Sequence, residues 1–142
     1  MSSNVTDLRK ALRKGISDLN AGLADLPVAV DNVDFADKPA DGSPWLRMLI
    51  EEGVPRPVSY GHDEFAGYIQ LDVNTKLGGG EAQADAIAQA AADFFKAGRV
   101  LSYGDTDAVV RSCARSRGRE VDGWWRISLT IYWDARVDRP GL

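Results

Sequence analysis

Gly123-Trp124-Trp125-Arg126-Ile127-Ser128-Leu129-Thr130-Ile131-Tyr132-Trp133-Asp134-Ala135 is the stretch whose reading decides the fold. Trp125, Ile127, Leu129, Ile131 and Trp133 alternate strictly with Trp124, Arg126, Ser128, Thr130 and Tyr132. Successive side chains of a strand point to opposite faces, so this spacing predicts a long strand with one core face and one semi-polar, aromatic face. Residues 108–116 read as its hairpin partner, joined to it by a loop over 117–123, and Val100-Leu101-Ser102-Tyr103 as a further strand. Upstream, Phe65, Gly67, Ile69, Leu71 and Val73 take one face of another strand and Tyr68, Gln70 and Asp72 the other. Trp45-Leu46-Arg47-Met48-Leu49-Ile50 predicts a strand, and Val28-Ala29-Val30 with Val33-Asp34-Phe35 a short extended piece. Residues 52–64 contain Gly53, Pro55, Pro57 and Gly61 without a period, and read as an irregular excursion of a length that is often functional or mobile.

Two helical segments interrupt these strands. Leu8, Leu12, Ile16, Leu19, Leu23 and Leu26 recur at steps of three and four, which predicts a helix of about five turns with one apolar stripe. Asn4 or Thr6 can cap it, Asp7 suits its positive end, and Pro27 stops it. Gly15 and Gly22 weaken it by about 1 kcal/mol each relative to Ala, so packing must supply its stability. The second helix is expected over 81–97, after Gly78-Gly79-Gly80, with Ala86, Ile87, Ala90, Ala91, Phe94 and Phe95 on one face and Gly98 as its stop. Two amphipathic helices over one face of a mixed, mostly antiparallel sheet bury these patterns together, an α+β class. With 142 residues, a single domain over 1–142 is expected, 136–142 forming a C-terminal tail.

Composition excludes several classes of function. The net charge is −4, yet residues 1–98 carry 15 acids against 9 bases, and residues 99–142 carry 6 acids against 8 bases. An acidic total disfavours a dedicated nucleic-acid binder, while a local basic strip remains available. No run of about 18 apolar residues suggests a membrane span, and the first residues lack a signal core, so neither a membrane nor a secreted protein is expected. The single Cys113 and single His62 allow neither an internal disulfide nor a four-ligand zinc site, and no metal or cofactor is expected.

The candidate chemistry is sparse. His62-Asp63-Glu64 groups an imidazole with carboxylates, but neighbouring side chains diverge, and a catalytic His62 needs a partner from elsewhere in the chain. A solvated loop histidine is the simpler reading. The glycines at 78–80 invite a phosphate-loop reading, yet no Lys-Ser or Lys-Thr follows them and Glu81 repels an anion, which leaves a flexible strand-to-helix turn. Cys113 shares a strand face by parity with Arg111 and Arg115, whose charges could activate it, against a plain structural role. Arg111, Arg115 and Arg117 share that face, with Arg119 in the next loop and Arg126 on the partner strand. Stacked guanidinium groups repel unless acids or another chain neutralise them, so this strip reads either as a solvated, acid-paired face or as a surface meeting the acidic part of a neighbouring subunit. Trp124 and Tyr132 add interface-type aromatic area beside it, and His62 and Asp63 mark the excursion.

The order of these motifs resembles the tail terminator proteins of long-tailed, lambda-like bacteriophages, the minor tail protein U-like family. An N-terminal amphipathic helix is followed by Asn32-Val33-Asp34-Phe35, then Gly42-Ser43-Pro44-Trp45-Leu46-Arg47 and Gly67-Tyr68-Ile69-Gln70-Leu71-Asp72-Val73. A Gly-rich turn into an Ala-rich helix and the closing strand at 123–133 complete the pattern over roughly residues 5–135. The resemblance implies a non-enzymatic virion protein of the tail and head-tail junction, assembled in the host cytoplasm. It implies a homo-oligomeric, hexameric ring that ends tail polymerisation, with the major tail tube protein and a head-completion or connector protein as partners. DNA would pass through the ring without sequence-specific recognition, and no catalytic residue is carried over. Two alternatives stand beside it: another neck or tail subunit, such as a head-closure or tube protein, and a small hydrolase or ligand-binding enzyme using His62.

Overall fold

The computed structural model describes residues 3–23, 25–30, 39, 42–79 and 81–138. Along the chain run α1 (Val5–Ala21), β1 (Val28–Val30), β2 (Trp45–Glu52), β3 (Arg56–Ser59), β4 (His62–Lys76), α2 (Ala82–Phe94), β5 (Val100–Tyr103), β6 (Thr106–Arg115), β7 (Arg119–Val121) and β8 (Trp124–Asp138). The eight strands make one sheet in the order β1-β2-β4-β8-β6-β5, with β3 beside β4 and β7 beside β8. Among the described residues, only β1 against β2 is parallel and every other pairing is antiparallel. The fold is α+β, as the alternating strand and two apolar stripes predict.

The two 15-residue strands β4 and β8 pair along their whole length. Each is flanked by a row made of two short strands, β2 then β3 on one side and β6 then β7 on the other. On the helix side, Val73, Leu71, Ile69 and Gly67 stand opposite Ile127, Leu129, Ile131 and Trp133. These apolar side chains are buried with the stripes of both helices in one cluster. Burying each one contributes about 1.5–3 kcal/mol, which is what makes the period-two pattern decisive. Gly67 is where β2 and the Trp133 ring come closest to β4, since a Cβ there would meet Trp133 Cζ2 at 2.9 Å and overlap the Glu51 carbonyl oxygen.

Asn4 caps α1, its Oδ1 accepting the Asp7 N–H at 2.8 Å. The helix ends at Ala21 rather than reaching Pro27. Asn20 terminates it, donating to the Leu26 carbonyl at 2.7 Å and accepting the Leu26 N–H at 2.9 Å, so Leu23 and Leu26 reach the core from a turn instead of a helix. Gly15, a weak helix former, is buried against Leu101 and Phe95, and a Cβ there would lie 3.0 Å from Leu101 Cδ2. Close packing decided that residue over propensity. α2 is shorter than the expected 81–97, and its buried Ala84, Ala88 and Ala91 let it lie close to the sheet. Gly98 takes the positive φ of 92° foreseen for a stop, four residues after the helix ends at Phe94.

Three further expectations change. Most of 52–64 is regular: Glu52 ends β2, and β3 and the start of β4 form a hairpin about the turn Tyr60-Gly61, with Gly61 at φ 82° and a register shift between Pro57 and Ser59. Its prolines lie on an outer row, where a missing N–H costs little, and that is why the period was hidden. The loop read at 117–123 contains β7, closed by Asp122 and Gly123, both at positive φ. Residues 136–138, assigned to a tail, belong to β8, while 139–142 and the piece at 33–35 lie outside the described residues. Among the described residues, no helix is long and apolar enough to cross a membrane.

Candidate partner-binding face

Both helices occupy one face of the sheet, and on the other face the even-numbered side chains of β8 stand in cross-strand rows. Trp45, Asn74, Arg126 and Arg119 form one row across β2, β4, β8 and β7. Arg47, Asp72 and Ser128 form the next, then Leu49, Gln70, Thr130 and Ala114, then Glu51, Tyr68, Tyr132 and Ser112. Tyr68 and Tyr132 meet edge to face, their ring centroids 6.2 Å apart. Trp124 packs edge to face on Trp45 at 5.7 Å. The predicted aromatic, semi-polar face is therefore real, with Tyr132 exposed on it and Trp124 half-buried at its end.

The arginine strip does not hold together as parity implied. A register shift between Val110 and Ser112 puts Val110 opposite Trp133 and Ser112 opposite Tyr132, so Arg111 is the extra residue of a β-bulge. Before the bulge the even residues face the core; after it the odd residues do. Arg111 consequently lies on the open face and binds Asp134 through two hydrogen bonds, 2.6 and 2.8 Å, which raise its pKa. Arg115 turns to the helix face and pairs with Asp85 in the first turn of α2. Arg117 is exposed beside that pair, its guanidinium without a carboxylate partner among the described residues. Cys113 stays on the face of Arg115 but not of Arg111; it stands opposite Ile131, packs on the core, and burial pushes its thiol pKa up, which fits the structural reading.

Arg119 and Arg126 do come together, directly opposite each other across β7 and β8. Arg126 donates its Nε–H to Asn74 Oδ1 at 2.7 Å, and Nη1 lies 3.8 Å from Asp72 Oδ2. Asn74 is wholly buried and Asp72 is 4% exposed. The Asp72 carboxylate accepts from Ser128 Oγ at 2.7 Å and Gln70 Nε2 at 3.1 Å, and Arg119 donates to Ser128 Oγ and Ser116 Oγ, both at 3.0 Å. Burial lowers the Arg126 pKa, and the charges of Arg47 and Arg119 lower it further, against the pull of Asp72 and Asp122. Arg47, Asp72 and Asn74 were not anticipated as site residues. The place of Asp72 and Asn74 on the non-core face of β4, in step with Tyr68 and Gln70, was the available signal, but only the register with β2 brings Arg47 into the row of Asp72.

His62 and Asp63 lie at the hairpin end of the sheet. His62 Nε2 is 3.1 Å from Asp138 Oδ1, and Asp138 Oδ2 accepts the Ser3 N–H at 2.9 Å. Ser59 Oγ lies 3.2 Å from His62 Nδ1, which superficially composes a Ser-His-Asp relay. The Tyr60 carbonyl is equally close to that same nitrogen, so it competes with the serine for it. Ser59 and His62 belong to an exposed hairpin and Asp138 to the end of β8, and the His62 and Asp138 side chains are 43% and 39% exposed, unlike the water-excluded setting such a relay uses. The arrangement fastens the hairpin to the end of β8 and to the N-terminal segment. Tyr60 at the tip and Val54 in the connection before β3 are 87% and 90% exposed, two large apolar side chains. A shallow cavity of about 430 Å³ nearby is lined by charges such as Glu64, Asp134, Arg111 and Arg136. Among the described residues, no three His, Cys, Asp or Glu side chains converge as metal ligands would.

One solved structure, described without a function, superposes with a TM-score of 0.72 at 23% identity, covering 90% of this chain and 92% of that one. A chain of the virion of a native gene transfer agent particle superposes with a TM-score of 0.54 at 20% identity, covering 96% of each. At these identities the likeness shows the fold. No curated protein matches the chain. The sequence model of the family described as phage tail terminator protein matches residues 7–133, from the first turn of α1 to the core of β8. With that match spanning most of its length, the chain belongs to the phage tail terminator family, as a structural protein of the phage tail.

Proposed function

We propose that this protein closes the tail by assembling as a six-membered ring on the end of the tail tube. There it halts addition of the major tail protein and offers the surface to which the head-completion or connector protein attaches. The observation that carries the reading is the family match over residues 7–133, a family that is structural and non-enzymatic. The ring forms in the host cytoplasm and stays in the virion, with DNA passing through it unread. Within the ring, the open sheet face and the hairpin tip are the contact surfaces. Arg117, Arg119, Trp124 and Tyr132 take part directly, and Val54 and Tyr60 supply apolar contact area. Arg111 and Arg115, already paired with Asp134 and Asp85, shape these surfaces without supplying free charge. His62 and Asp63 hold or border the hairpin. A head-to-tail contact between unlike surfaces generates a closed ring when the rotation closes.

Light scattering over a range of concentration and salt, followed by negative-stain imaging with purified tail tubes, tests this. A hexamer-sized ring, or a monomer that appears as a cap on tube ends, is expected. A monomer indifferent to tubes overturns the proposal, and copolymerisation along the tube assigns the chain to the tube instead.

A further inference from the structure

Three guanidinium groups share one end of the open face, and the fold supplies them with one buried carboxylate. Arg119 and Arg126 are directly opposed across two strands, an arrangement that like charges disfavour. Arg47 arrives from β2 in the row of Asp72, is exposed, and makes no hydrogen bond or ion pair among the described residues. Asp72 is committed to Ser128 and Gln70 and lies 3.8 Å from Arg126. Arg119 is held by two serine hydroxyls, which orient it without neutralising it. Arg126 is fixed beneath them, its side chain 13% exposed, by Asn74. The arrangement is thus a floor of one anchored guanidinium with two more around it, three positive charges against the two carboxylates, Asp72 and Asp122, that act on Arg126.

We propose that Arg47, Arg119 and Arg126 form an oxyanion cradle that takes carboxylates from an acidic segment of a partner protein. Guanidinium forks match a planar carboxylate through paired hydrogen bonds, and such charge-assisted bonds are the strong ones. A nucleic-acid phosphate backbone fits less well: it needs a row of cations along its length, whereas here a tight cluster sits on a chain of net charge −4. Trp124, packed on Trp45 at the margin of the cradle, gives a partner apolar surface next to the charge. The inference rests on reading this face as an interface, and it names the chemistry that the face recognises.

The test is an NMR titration of the full chain with acetylated hexaglutamate at low salt, with a short DNA duplex of matched charge in a parallel arm. Binding of the peptide, with shifts confined to β2, β7 and the adjoining part of β8, is expected. Arg47→Gln, at an exposed residue with no bonds to lose, is expected to leave the melting temperature unchanged and weaken the peptide by about tenfold; Arg119→Gln, which also loses its bonds to Ser116 and Ser128, is expected to weaken the peptide similarly. No peptide binding, or peptide binding that Arg47→Gln leaves intact, overturns the cradle. Tighter binding of the duplex, lost in the same variants, overturns the choice of carboxylate over phosphate. The titration reads the monomer's own surface, so a cradle that fails while tube capping persists leaves the terminator reading standing, and the reverse also holds.

Discussion

Replacing Gly67 by alanine adds one methyl group at the point where three strands are closest. Gly67 stands in β4 between Glu52 of β2 and Trp133 of β8. The new Cβ would overlap the Glu51 carbonyl oxygen and lie 2.9 Å from Trp133 Cζ2. Neither neighbour can give way easily. The Glu51 carbonyl is backbone, locked by the β2–β4 ladder and by the Gly53 N–H, which donates to the Ala66 carbonyl at 2.7 Å. Trp133 is 1% exposed, and its indole N–H has no hydrogen-bond partner among the described residues, so packing alone holds it. Relief requires β2 to part from β4 or the ring to shift in the core. Losing one or two ladder hydrogen bonds costs about 1–2 kcal/mol, and overpacking against the ring about 1–3 kcal/mol more. Restricting the unfolded chain returns about 0.4–1 kcal/mol. The net expectation is about 3 kcal/mol of destabilisation, which lowers the melting temperature by about 10 °C in a chain of this size. Urea unfolding followed by tryptophan fluorescence, paired with calorimetry, measures it. Gly98→Ala is the control: at φ 92° with open space around it, it is expected to cost about 1 kcal/mol through backbone strain alone. A Gly67→Ala protein within about 0.5 kcal/mol of the parent would refute the claim that this close approach organises the sheet.

Other outcomes follow from the polar half of the molecule. Asp72→Ala removes the one carboxylate beside half-buried Arg126 and strands Ser128 and Gln70, so a loss of about 3 kcal/mol is expected by urea unfolding, with Asp72→Asn milder; equal, small effects would argue against the network. Cys113, whose thiol pKa burial raises above its ordinary 9.0, is expected to reach half its maximal iodoacetamide rate above that pH. Its thiolate is disfavoured in the folded state, so its contribution to stability is full below the unfolded-state pKa and declines as pH rises through the folded one. A half-maximum at neutral pH would mean an activated thiol. His62→Ala cuts an exposed imidazole–carboxylate contact worth at most about 1 kcal/mol and is expected to leave tube capping intact, whereas abolished capping would make His62 a contact residue.

The cluster of arginines shows how far sequence reading could reach toward the site. Composition located the basic third of the chain, and the alternation in β8 placed Arg126, Trp124 and Tyr132 on its non-core face, where the structure puts them. The grouping of Arg111 with Arg115 failed because parity counting assumes an unbroken ladder, and one extra residue at Arg111 reversed the faces of everything after it. Residues 52–64 were misread for a related cause: prolines and glycines signal irregularity locally, while β4 supplies the pairing that makes Arg56–Ser59 a strand.

What the sequence by itself determined is what depends on near neighbours along the chain. The apolar stripe of α1, the core face of β4 and β8 and the α+β class all follow from periods of 3.6 and 2, because a side chain's direction is set by its own few turns or pleats. What only the tertiary structure decided is what depends on register between distant segments. It placed Arg47 in the row of Asp72, set Arg119 against Arg126, needed glycine at position 67, and tied His62 to Asp138 and Ser3. A cross-strand neighbour is chosen by how whole strands slide to bury their apolar faces, and a shift of one residue exchanges every partner, so no local window of sequence contains that choice.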